Sequence, residues 1–139
     1  MPDNLLTQVP LNTLSMPGNG LLAEERPWGR WMLLHEAPGF KLKLIEVSPG
    51  HRLSLQYHHY RSENWVCVAG CADAQVGRES FKLQLYNTLH IPVATVHRLG
   101  NSGDVPTLIV EIQEGERLLE EDIVRLEDDY NRADKIDFG

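Results

Sequence analysis

Gln56, His58 and Glu63 in one short stretch, and His97 well downstream, are the residues of this chain whose types and spacing could do chemistry. In an extended strand, residues two apart share a face, so Arg52, Ser54, Gln56 and His58 are predicted to project to one side. A four-residue turn then separates His58 from Glu63, which opens a returning strand with Trp65 and Cys67 on its own face. A carboxylate and two nitrogen or amide-oxygen donors thus converge at one end of a hairpin. A second turn, Pro92 to Val96, delivers His97 at the start of another strand as the fourth donor. Imidazole nitrogen and carboxylate oxygen suit Zn²⁺, and a glutamine carbonyl is a weaker neutral ligand, so the set predicts one divalent ion, zinc by donor type, with room for substrate or water. Such a site stays net positive and favours an anionic intermediate. His58, Glu63 and His97 alone also match the two-histidine, one-carboxylate arrangement of non-haem iron oxygenases, an alternative that Gln56 as a fourth donor weighs against.

Around these donors, Arg52 shares their predicted face and can meet an anionic oxygen as a charged bidentate donor, or stand solvated after its turn. Ser54 lies on the same face, and Lys43 shares a strand face with Lys41 as a further phosphate contact. His59 points away from His58, and His35, His51 and His90 fit no ligand spacing. Trp28, Trp31 and Trp65 are read as core aromatics.

The elements that must position these residues are short apolar or alternating runs bounded by Gly, Pro or Asn. They fall at 29–35, 40–47, 52–58, 63–69, 71–76, 80–85, 88–91, 97–99 and 107–113. That spacing predicts an all-β sandwich or barrel. Pro38-Gly39, Pro49-Gly50 and Gly77-Arg78 read as its turns. After Gly115, Leu119, Ile123, Leu126 and Tyr130 recur at helical spacing among acids, which predicts a short amphipathic C-terminal helix packed on the barrel. Residues 1–20 show no sustained period and read as an N-terminal arm, leaving 21–139 as a single domain.

A chain of 139 residues accommodates one core, and its 42% apolar and 24% charged residues are those of an ordinary globule. No apolar run approaches the ~18 residues of a membrane span, and the first basic residue is Arg26, so the expectation is a cytoplasmic protein without a membrane partner. Of the net charge of -7, all the excess lies in residues 111–139, with eleven acids against four bases, so the body is neutral and can accept an anionic ligand. No basic stripe is present, which argues against a nucleic-acid partner. Cys67 and Cys71 form neither a disulfide framework nor a zinc pattern and are expected to be two reduced, buried thiols.

The two stretches resemble the paired cupin motifs. The first runs Gly50, Gln56-x-His58, Glu63, Gly70, and the second Pro92-x-Ala94-x-x-His97-x-x-x-Asn101, with Ala94 where the family pattern has glycine. The resemblance narrows to the cupin domain of type II mannose-6-phosphate isomerases, also found fused behind mannose-1-phosphate guanylyltransferases. It is carried by Glu25-Arg26-Pro27-Trp28-Gly29, Arg52-Leu53-Ser54-Leu55-Gln56-Tyr57-His58-His59, Glu63 with Trp65, Ile91-Pro92, His97-Arg98-Leu99 and the run from Glu121 to Tyr130. It implies a double-stranded β-helix, metal ligation by Gln56, His58, Glu63 and His97, and interconversion of mannose 6-phosphate and fructose 6-phosphate. In that reading Glu63, Arg52 and Arg125 are catalytic, and Arg52, Ser54, Lys43 and Arg125 bind substrate, with Arg125 capping the barrel mouth. Tyr60 and Asn64, where the family usually has histidines, are expected to flank the site and slow turnover, which keeps a non-catalytic sugar-phosphate-binding module as the alternative. By analogy with the fold, cupin sandwiches often pair through sheet edges, which makes a homodimer the expected assembly.

Overall fold

The computed structural model describes residues 22–133, so the expected arm at 1–20 lies outside the described residues. Twelve strands follow one another in the described residues: β1 Ala23–Arg26, β2 Gly29–Ala37, β3 Phe40–Val47, β4 His51–Arg52, β5 Leu55–Tyr57, β6 Ser62–Ala69, β7 Ala72–Val76, β8 Glu79–Leu83, β9 Thr88–Ile91, β10 His97–Asn101, β11 Thr107–Glu114 and β12 Val124–Glu127. They form two antiparallel sheets, one in the order β1-β2-β3-β11-β6-β9 and the other β12-β5-β10-β7-β8 with β4 also paired to β10. This is the all-β cupin architecture the motifs imply.

The sandwich follows from strict alternation. Along β6, Glu63, Trp65, Cys67 and Ala69 are buried while the residues between them are not, and β11 turns Ile109, Glu111 and Gln113 inward in the same way. Trp28, Trp31, Ile45, Val47, Trp65, Leu99 and Ile109 fill the space between the sheets. The core is therefore apolar along most of its length and becomes polar at one end, where Glu63, Glu111 and Gln113 stand. The hairpin from β6 to β7 turns at Gly70, whose φ of +72° and whose missing Cβ, which would stand 2.6 Å from the Pro106 carbonyl oxygen, admit no other residue cheaply.

The expected C-terminal helix is absent among the described residues. Val124–Glu127 instead forms a strand against β5, and the preceding chain is held by the Asp122 carboxylate, which accepts the backbone N–H groups of His59 and Tyr60 at 2.8 and 3.0 Å. A few apolar residues at helical spacing cannot stabilise so short a helix against a sheet edge that offers ladder hydrogen bonds. Among the described residues, no helix is long and apolar enough to cross a membrane. Only Cys67 is buried; Cys71 is exposed, because it sits in the turn after Gly70 rather than in the strand that follows.

Candidate metal centre

His58, Glu63 and His97 come together at the polar end of the sandwich, each fully buried, with ligand atoms all within 4.8 Å of one another. Glu63 enters from β6 in one sheet, while His97 opens β10 in the other. His58 follows β5 and is fixed by the chain beyond β11, since its Nδ1–H donates to the Asp122 carbonyl oxygen at 2.7 Å. The Nδ1–H of His97 donates to the Thr95 carbonyl oxygen at 2.8 Å. With Nδ1 so engaged, each ring turns Nε2 toward Glu63, His58 Nε2 standing 3.1 Å from Oε2. Backbone carbonyls commonly fix metal-binding histidines in this way. His97 Nε2 makes no hydrogen bond despite full burial, and Glu63 Oε1 lies 3.7 Å from it. An orphaned buried lone pair beside a carboxylate fits a cation.

Gln56 is the direct cross-strand neighbour of both His97 and Arg125. It is half-buried, and its Oε1 accepts the Ser54 hydroxyl at 2.7 Å. Gln56, Ser54, Lys43 and Arg125 line one cavity of about 130 Å³, together with Arg61, Glu111 and Gln113. Lys43 Nζ lies 4.0 Å from the centre of the Trp31 ring and 2.6 Å from Glu120 Oε1.

The structure does not bring Arg52 to this group. Its side chain is half exposed and pairs bidentately with Asp129, at 2.8 and 3.0 Å, on the outer face of the second sheet. The reason is a slip in register. Arg52 pairs with Gly100 but Gln56 pairs with His97, so one extra residue intervenes at Leu53–Ser54 and reverses the parity that an unbroken strand would have. Arg52 instead lines a larger cavity of about 730 Å³ with Lys82, Arg98 and Asp129, on the opposite face of β10 from His97. Tyr60 and Asn64 do not flank the buried cluster either. Tyr60 is exposed beneath the Arg117 guanidinium, and Asn64 lies on the outer parity of β6, bonded to Glu114 and to His90.

Arg61, read in the sequence only as part of the turn, is central. Its Nε donates to Glu63 Oε2 at 2.9 Å and its Nη2 to His58 Nε2 at 3.3 Å. Glu111 and Gln113 were legible only as inward-parity polar residues in an otherwise apolar strand. Trp65 joins the set as a forked donor, with Nε1 3.1 Å from both Glu63 Oε1 and Glu111 Oε2.

Burial, the largest influence on Glu63, disfavours its charge, yet the His58 contact and the charge of Arg61 hold its carboxyl well below the usual range. Burial and then the neighbouring Glu63 charge push Glu111 up to about 8. Burial lowers His97, against the pull of Glu63, which keeps its ring neutral and able to donate its lone pair.

Several known proteins are similar to this chain in sequence or fold. Residues 22–128 match the family model described as mannose-6-phosphate isomerase C-terminal. The alginate biosynthesis protein AlgA of Pseudomonas aeruginosa is 46% identical over 108 residues, covering 78% of this chain and 22% of that protein. The mannose-1-phosphate guanylyltransferase of Klebsiella pneumoniae is 40% identical over 108 residues, covering 78% of this chain and 23% of that protein. The chain thus spans about a quarter of the length of these relatives. Among solved structures, a cupin-2 domain from Rhodospirillum rubrum superposes with a TM-score of 0.63 at 20% identity, over 78% of this chain and 82% of that one. Oxalate decarboxylase from Lactobacillus farciminis superposes with a TM-score of 0.68 at 22% identity, over 78% of this chain and 34% of that one. At those identities the two structures speak for the fold. With its cupin sandwich and a matched span that holds every member of the buried cluster, this chain belongs to the family of mannose-6-phosphate isomerase C-terminal domains.

Proposed function

We propose that the chain is a metal-dependent isomerase that interconverts mannose 6-phosphate and fructose 6-phosphate. The observation that carries this reading is the convergence of His58, Glu63 and His97 within 4.8 Å at full burial, with both Nε2 atoms turned inward. These three residues, with Gln56 as a neutral fourth donor, would hold the ion, for which zinc is the choice that suits nitrogen and oxygen donors. Bound there, such an ion supplies Lewis acidity toward a sugar carbonyl oxygen, which makes the adjacent C–H acidic enough to ionise.

The chain's own residues supply the rest. Lys43 and Arg125 bring cationic ends to the cavity for the phosphate, and Lys43 would exchange its Glu120 partner for it. Glu111 is a buried carboxyl that lines the cavity, so it would carry the proton between C1 and C2. The expected small-molecule partner is a sugar phosphate in the cytoplasm, and relatives named for alginate and xanthan biosynthesis favour a place in polysaccharide precursor supply.

The test is metal analysis of purified protein with a coupled assay from mannose 6-phosphate to fructose 6-phosphate. Turnover should vanish on chelation and return with zinc, and His58→Ala and His97→Ala should lose metal and turnover while staying folded. Full metal occupancy without turnover would contradict the reading. It would favour a second one, a non-catalytic sugar-phosphate-binding module, which the Arg61 contacts support by satisfying Glu63 and His58, though not His97, without an ion.

A further inference from the structure

The inner face of β11 carries Ile109, Glu111 and Gln113 in sequence, passing from the apolar core to the cavity. Gln113 is 1% exposed. Nε2 donates to Glu111 Oε1 at 2.7 Å. Gln113 Oε1 is left as a buried acceptor without a hydrogen-bond partner on a residue that lines the cavity. Burying such an oxygen is unfavourable until a donor reaches it. Two of the cations that line the cavity face other partners, Lys43 on Glu120 and Arg61 on Glu63 and His58. A hydroxyl or other donor that enters the cavity can supply the missing hydrogen bond.

A phosphate or carboxylate offers only acceptors and would be repelled, whereas a hydroxyl is matched. We propose that Gln113 determines specificity by accepting a hydrogen bond from one hydroxyl of the sugar phosphate, a step that rests on the cavity being a sugar-phosphate site. Gln113 is the direct cross-strand partner of Glu63. The hydroxyl it reads therefore belongs to the carbons beside the reacting carbonyl and not to the phosphorylated end.

Mannitol 6-phosphate has no carbonyl to isomerise, so calorimetric titration of the zinc-loaded full chain isolates binding. Removing the hydroxyl on C2 or on C3 should weaken binding to the wild type about tenfold, as losing one neutral hydrogen bond does, while the C4 and C5 deoxy forms bind nearly as well as the parent. Gln113→Met, similar in size but without the acceptor, should bind the parent as weakly as the wild type binds the affected analogue, with no further loss when the two changes are combined. Equal binding of all deoxy forms by the wild type overturns the inference whether or not the variant folds. Parent-like binding by Gln113→Met overturns it too, and assigns Oε1 to a water. Failure of the wild type to bind any of these sugar phosphates overturns both this inference and the sugar-phosphate reading, whereas binding without discrimination overturns this inference alone.

Discussion

Arg61 and Glu63 are bound to each other inside the barrel, the guanidinium Nε 2.9 Å from the carboxylate Oε2, and the same guanidinium reaches His58 Nε2. Arg61 thus links the cavity it lines to the three-residue cluster and takes up lone pairs that a cation would use. Removing one member of a buried ion pair leaves a charge without compensation, a loss of about 3–5 kcal/mol. Arg61→Leu should therefore destabilise the metal-free protein by about 3 kcal/mol, and zinc should raise the Tm of this variant more than that of the wild type. Equal zinc-induced shifts would mean that Arg61 and the ion do not compete.

Ala94 occupies the left-handed region at φ 60° while its N–H donates to the His58 carbonyl oxygen at 2.9 Å. That conformation costs a residue with a Cβ about 1 kcal/mol, part of which glycine gives back through its freer unfolded chain. Ala94→Gly should stabilise the fold by about 0.5 kcal/mol, read as a higher urea midpoint at constant slope. A lower midpoint would show that the Cβ has a packing role outweighing its strain.

Glu111 supplies a pH dependence with a definite sign. Its ordinary value is 4.5 and its folded value is about 8, so between them the native state holds a proton that the unfolded chain has lost, and stability falls as pH rises through that window. Glu111→Gln imitates the protonated carboxyl. In chelator-treated protein, the Tm difference should move in favour of the variant as pH rises from about 5 to 8 and then level off. A difference independent of pH would show that Glu111 is ionised in the fold throughout.

Much of the centre was legible because alternation in β6 and the turn before β10 fix the inward direction of Glu63 and His97 within a few residues of chain. Arg52 was misplaced because a one-residue slip between β4 and β5 is invisible to parity counting. The terminal helix failed for a different reason, since helical spacing of a few apolar residues cannot reveal that β5 offers a free edge. Arg61 was hidden because a turn residue has no parity to read. Tyr60 and Asn64 look outward, so introducing Tyr60→His and Asn64→His together should leave turnover within about twofold, well short of what a positioned proton carrier contributes. A tenfold gain would show that these positions reach the substrate.

Proton abstraction is the step that separates an isomerase from a binding module, and solvent isotope exchange reports it even where net turnover is slow. Zinc-loaded protein incubated with mannose 6-phosphate in D₂O should place deuterium at C2 of recovered mannose 6-phosphate or at C1 of fructose 6-phosphate, and His97→Ala should abolish it. Binding of mannose 6-phosphate by protein shown to hold its metal, with no deuterium at either carbon, would contradict the isomerase account.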